Sequence, residues 1–330
     1  GLLLAYGVGM AGAITVITAA WLGLFPLALV GLVLTGGGTA AGLQSRYAAT
    51  DLAAPDRRGR SLATVVWATT VGSVLGPNLA QPMGDLARSV GVPRLAGPYL
   101  LTVCAFLAAA LIIAALLRPD PLLVARAAAG GGADGGALRS RRSFRATLGE
   151  IASIRSALLG LSAMALGHAV MVGVMSMTPV HLQHGGATLR IIGLVISGHI
   201  SGMYIASPIV GWLADRFGRR VVIIGGTAIL LLSVTIAGTA DGHDAGRLAI
   251  GLFLLGLGWS CTLIAGSTLL TESMPLEDRP VVQGAADLVM GIAGASAGVL
   301  SGLVVGLGSY GLLTVIAAAL VRSEEHTSEL

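Results

Sequence analysis

The chain has 330 residues, of which 55% are hydrophobic and only 11% charged, and its mean hydropathy is +0.86. Soluble domains carry about 25% charged residues, so this composition excludes a water-soluble enzyme and specifies an integral membrane protein. The net charge of +4 comes from 20 basic residues, all Arg; it fits basic loops beside membrane spans and gives no support to a nucleic-acid partner.

A spanning helix needs about 20 mostly apolar residues. Such segments are read in order at 1–20, 24–46, 61–84, 97–117, 156–180, 189–213, 221–239, 247–271 and 281–306, with a shorter one at 309–321. The first opens the chain without a Met or a signal peptide. The second holds a Gly-rich run at Gly36–Gly42 and ends at Arg46. The third carries Gly72, Gly76 and Pro77 as G-x-x-x-G-P, a flat helix face followed by a helix-bending proline. Cys104 and Cys261 lie inside apolar segments and are expected to be buried, unpaired thiols.

Residues 118–153 form the only long polar stretch; with GGGADGG and Arg139, Arg141, Arg142 and Arg145 they read as a flexible basic linker. Beyond it, His168 and His199 stand mid-segment, and Asp287 lies in the 281–306 segment with Gln283 one turn earlier. Ionisable groups at membrane depth are costly, so these four are candidates for a substrate or proton site, though packing within the bundle would also hold them. Gly291, Gly294, Gly298 and Gly302 make a small-residue stripe along the same segment. The tail, residues 322–330, turns abruptly polar and reads as translated adapter DNA, so it is set aside.

Arg placement orients the spans. Arg57, Arg58 and Arg60, the 118–155 stretch, then Arg216, Arg219 and Arg220, and finally Arg279 are each separated by two spans, so all can face the cytoplasm. Loop 50–60 (TDLAAPDRRGR) resembles loop 271–279 (TESMPLEDR), the weak internal repeat of a two-half transporter.

The run GWLADRFGRR at Gly211–Arg220 packs one carboxylate, three guanidinium groups and two glycines between apolar helices. It resembles the signature loop of the major facilitator superfamily of secondary transporters, which the family carries between its helices 2 and 3 and again between helices 8 and 9. The resemblance implies an all-α polytopic bundle of two halves. The first half would cover 1–117 (helices 3–6) and the second 154–321 (helices 7–12), joined by the basic linker. Because only two segments precede loop 50–60 but four segments of the second half precede loop 271–279, the chain reads as lacking helices 1 and 2 and most of helix 12. Nine to ten of twelve helices would then be present, and Gly211–Arg220 would be the 8–9 copy. With helix 2 absent, the Gly291–Gly302 stripe is expected to lie uncovered.

That placement implies a role for the loop. Gly211 and Gly218 permit close packing and a tight turn. Asp215 is expected to accept free N–H groups at the start of the fifth family helix, near Ser61, with Arg57, Arg58 and Arg60 beside it. With Arg216, Arg219 and Arg220, these residues would form a conformational latch, although the Arg residues could also serve topology alone. The G-x-x-x-G-P at Gly72–Pro77 resembles the signature of the exporter branch, chiefly drug:proton antiporters, with Ser197, Gly198, Ser201, Gly202 and Pro208 as an opposing face. The chain departs from that branch at Gly31 and Leu32, where proton-coupled exporters carry an Arg.

The implied function is alternating-access transport of a small molecule, as proton-coupled efflux, by a monomer in the bacterial inner membrane. No metal or cofactor beyond the proton gradient is implied. Alternatives are an importer or symporter of the same fold, and a transport-dead sensor or pseudogene product. Enzyme motifs such as H-E-x-x-H, a P-loop or G-x-S-x-G are absent.

Overall fold

The computed structural model describes residues 1–118, 124 and 143–329, and among them every long element is an α-helix. The helices are α1 (Leu2–Leu22), α2 (Phe25–Asp51), α3 (Arg58–Ser89), α4 (Gly97–Leu116), α5 (Phe144–Ser153), α6 (Arg155–His184), α7 (Leu189–Tyr204), α8 (Ser207–Phe217), α9 (Arg219–Gly238), α10 (Ala245–Glu272), α11 (Arg279–Leu307) and α12 (Tyr310–Glu329). Eight segments among the described residues are long and apolar enough to cross a bilayer, α7 and α8 counting together as one. The third predicted segment, 61–84, lies within the 32-residue helix α3.

Three expectations change. The span at 189–213 breaks at Ile205 and Ala206, because Pro208 opens α8 and cannot donate a backbone bond to the preceding turn. The end of the linker is not flexible. Phe144–Ser153 is helical, N-capped by Ser143 Oγ, which accepts from Ala146 N–H, and buries Thr147 and Ile151. The rest of the linker, including Arg139, Arg141 and Arg142, lies outside the described residues. Cys104 is exposed on α4, whereas Cys261 is buried; both are free thiols. At the far end, the backbone of 322–329 continues α12 as helix.

The chain divides into two compact units. One comprises Gly1–Leu52 and Val71–Gly130, and the other Ala53–Thr70 and Gly131–Leu330, so the first turns of α3 group with the second half and not with residues 1–117. In the first unit α1 lies along α2 at backbone distance. A Cβ at Gly9 would stand 2.6 Å from Gly38 N, and one at Gly31 would stand 2.8 Å from Val16 N. That contact leaves no room for a side chain at Gly31, while Leu32 beside it is exposed. Phe106 of α4 covers both Gly9 and Gly38, while Leu107, Leu111 and Ile112 stay exposed as membrane helices allow.

The second unit is built around α10, which buries Leu248, Leu252, Leu255, Ile264 and Leu270 completely. Small residues bring its neighbours close: a Cβ at Gly160 on α6 would stand 2.7 Å from Gly266 O, and one at Gly226 on α9 would stand 2.6 Å from Cys261 Cβ. α7 packs on a third side through Gly202 and Gly256. α11 and α12 pack on α6, joined by hydroxyl pairs Ser176–Ser301 at 3.0 Å and Thr178–Tyr310 at 2.9 Å. The glycine stripe of α11 is therefore half covered. Gly294 meets His168 and Gly298 meets Val172, both on α6, while Gly291 and Gly302 have no described neighbour within 4 Å.

Candidate functional site

α8 ends at Phe217 because Gly218 takes φ +96, a conformation side chains disfavour, and α9 begins at the next residue. This one-residue turn leaves Asp215 in the last turn of α8 and Arg219 at the start of α9. The Asp215 side chain is 2% exposed. Its Oδ1 accepts the Gly59 N–H at 2.9 Å and its Oδ2 accepts the Arg60 N–H at 2.9 Å. These are the first N–H groups of α3, which have no acceptor within their own helix. The positive end of the helix dipole favours a carboxylate at that point.

Two guanidinium groups complete the shell. Arg219 Nη2 lies 3.1 Å from Asp215 Oδ1, and Arg60 Nε lies 3.5 Å from Oδ2. Arg219 also donates to Ala214 O at 2.8 Å, Pro55 O at 2.9 Å and Glu272 Oε1 at 2.9 Å. It thereby ties α8, the turn before α3 and the end of α10 together. Arg58 Nη1 sits 3.9 Å from the same Glu272 oxygen. A buried charge is costly unless paired and hydrogen-bonded; here the buried Asp215 and the half-buried Glu272 face three guanidinium groups and two backbone donors.

The glycines set the approach. A Cβ at Gly211 would stand 2.5 Å from Ala63 Cβ and 2.6 Å from Gly59 O, and a Cβ at Gly59 would stand 2.7 Å from Asp215 Oδ1. The remaining arginines of the predicted latch lie outside this shell. Arg57 pairs with Asp56 at 3.7 Å with both side chains 72% exposed, a pair worth little. Arg216 and Arg220 are exposed and make no ion pair among the described residues. Sequence reasoning missed Glu272, although it is the acid of the Thr-acid pair that matches loop 50–60.

The other candidates lie elsewhere. Gly72 and Gly76 face open space, with no described atom within 4 Å of an added Cβ, and α3 runs through Pro77 as continuous helix. Gly202, expected to oppose them, instead packs against Phe253 and Leu257 of α10. His199 is 1% exposed on α7 with Nδ1 2.8 Å from Leu252 O, and its Nε2 has no partner. His168, half-buried on α6, accepts the Trp259 indole N–H at 3.0 Å. Gln283 is 4% exposed with its amide nitrogen unpartnered, and Asp287 is half-buried one turn further along α11. Arg46, noted only as a helix-end Arg, is 2% exposed; its guanidinium donates to Tyr47 OH at 3.2 Å. An apolar cavity of about 250 Å³ between α6, α11 and α12 carries no ionisable lining and offers no coupling chemistry.

Fold and site together define a multi-pass membrane protein with paired helical units and a charged turn gripping a helix start. Residues 181–321 match the family model described as Major Facilitator Superfamily. The chain is 39% identical over 320 residues to the uncharacterized MFS-type transporter YdeG of Bacillus subtilis (strain 168), covering 97% of this chain and 74% of that protein. It is 38% identical to YddS of the same organism, covering 95% and 71%. The fold resembles the crystal structure of the transporter FucP in its outward conformation, with TM-score 0.75 and 18% identity over 99% of this chain and 82% of that one. The chain belongs to the major facilitator superfamily of membrane transporters and is a transporter, not an enzyme.

Proposed function

We propose that the chain exports a small molecule from the cytoplasm by proton-linked alternating access, in the inner membrane of a bacterium. The observation that carries this reading is the carboxylate of Asp215, held on two backbone N–H groups of α3 and on Arg219. Such a contact is all-or-none: withdrawing α3 by a few ångströms strands a buried charge, so the cluster has two discrete states and not a graded one. Closed, it latches the cytoplasmic side; open, it releases the start of α3 for the opposite state.

Direction rests on Gly72, Gly76 and Pro77, whose pattern resembles that of the exporter branch and whose glycines meet no described atom within 4 Å. Coupling rests on ionisable groups within spanning helices: His168, His199 and Asp287. The bacterial relatives support the membrane assigned.

The test is accumulation of a mixed small-molecule panel by cells expressing the chain or its Asp215→Asn variant. Export lowers the accumulation of at least one compound, and a protonophore or the variant restores it. Raised accumulation would mean import, and insensitivity to the protonophore would remove the proton.

A further inference from the structure

Two histidines lie in the middle of spanning helices, and their partners impose opposite tautomers. His199 Nδ1 stands 2.8 Å from the Leu252 carbonyl. A carbonyl only accepts, so this nitrogen carries the proton. His168 Nδ1 faces the indole N–H of Trp259 at 3.0 Å. An indole N–H only donates, so this nitrogen carries none, and the neutral ring holds its proton on Nε2. A proton arriving at His168 must therefore enter at Nδ1, the atom the indole already occupies.

We propose that His168 and Trp259 form a proton-binding site in which an incoming proton and the indole N–H compete for His168 Nδ1. The proton comes from the aqueous phase, converts the imidazole to an imidazolium and leaves two N–H groups pointing at each other. Trp259 is 6% exposed, and this is the one hydrogen bond of its indole among the described residues. A buried N–H without an acceptor is unfavourable, so the ring must turn.

The ring has a neighbour that registers the turn. Tyr204 packs edge-on against Trp259, with centroids 6.0 Å apart at 89°. Tyr204 is the last residue of α7, beside the break at Ile205 and Ala206 that leads into α8 and Asp215. Proton binding on α6 is thereby transmitted to the hinge above the charged cluster. Gly294 of α11 makes room for the histidine: a Cβ there would stand 2.8 Å from His168 Nε2.

Mid-helix titratable groups on the elements packed against α6 are Asp287 on α11, Cys261 on α10 and His199 on α7, with Tyr204 at the end of α7. Tyr310 on α12 stacks on His181 instead, and the charged groups of α5, α9 and α10 sit towards helix ends. Asp287 is the acid among the mid-helix groups. It lies seven residues before Gly294 on the same helix, about two turns away along the same face.

This inference rests on the proton-linked part of the proposed function, but its test needs no transport. In a chain carrying Trp21→Phe, Trp67→Phe and Trp212→Phe, the emission of Trp259 is recorded in nanodiscs from about pH 5 to 8, where histidine titrates. One sigmoidal step is expected. His168→Gln keeps an acceptor for the indole but removes the titrating ring, so the step is lost; His199→Gln retains it. A flat response of the starting chain, or a step that survives His168→Gln, overturns the proposal. Histidine ¹⁵N spectra of the unmodified chain give an independent readout near pH 8. His168 protonated on Nε2 and His199 on Nδ1 supports the site, and one tautomer shared by both overturns it. Absence of proton-linked transport with the step intact would sink the transport reading and leave the site.

Discussion

Asp215→Asn isolates what the buried carboxylate contributes. The amide retains one oxygen, which can still accept either Gly59 N–H or Arg60 N–H, but it turns an NH₂ group toward the other donor. The substitution therefore removes one charge-assisted bond, leaves one backbone N–H unsatisfied, and strips Arg219 and Arg60 of their shared counter-charge. Hydrogen bonds to charged groups contribute about 1.5–3 kcal/mol, and a buried unsatisfied donor costs about 1–3. Allowing for partial relaxation and for the 50% exposure of Arg60, the closed arrangement should lose about 2–4 kcal/mol. At about 1.4 kcal/mol per factor of ten, the open fraction rises roughly 30-fold or more.

The assay is labelling of Leu62→Cys by a soluble maleimide in a chain carrying Cys104→Ser and Cys261→Ser. Leu62 is fully buried in the first turns of α3, so its replacement reacts only when that segment detaches. Asp215→Asn should accelerate labelling at least about tenfold. A rate within twofold of the parent would refute the argument that this carboxylate holds α3.

Glu272→Gln should weaken the same cluster less, by about 1–2 kcal/mol, because Arg219 keeps Asp215, Ala214 O and Pro55 O as acceptors; the labelling rate should fall between parent and Asp215→Asn. Gly211→Ala should push α8 off α3, since a Cβ would meet Gly59 O at 2.6 Å. A loss of about 1–3 kcal/mol should appear as a lower melting temperature, and an unchanged melt would show that the helices are not in contact. Gly218→Ala should cost about 1–3 kcal/mol through its φ of +96 alone, lowering the melting temperature. Gly294→Ala should displace the His168 ring and shift Trp259 emission even at pH 8; identical spectra would count against the packing of α11 on α6.

Much of the molecule was readable from apolar run lengths, and most helix boundaries fall within a few residues of the predicted segments. What was not readable has local causes. The α7–α8 break follows from Pro208, whose missing N–H lies inside an otherwise continuous apolar run. α5 escaped because its helical signal is a Ser143 cap and a short apolar spacing at Phe144, Thr147, Leu148 and Ile151, diluted by the arginines before it. The expected neighbour of Asp215 was the helix start near Ser61, inferred from family pseudo-symmetry; the donors are Gly59 and Arg60. Glu272 lay in plain view within the repeated loop, but repeats show kinship and not which side chain reaches an arginine 53 residues away. The His168–Trp259 contact joins residues 91 apart on different helices, which no local pattern encodes.

The account stands on Asp215 gripping the first turn of α3, and amide hydrogen exchange reads that grip directly. The Gly59 and Arg60 N–H groups have no acceptor within their own helix, so only the carboxylate protects them. Peptides covering residues 58–62 should exchange slowly in the parent chain and at least about tenfold faster in Asp215→Asn, with peptides from α1 and α2 unchanged. Equal exchange at Gly59 and Arg60 in both chains would contradict the account.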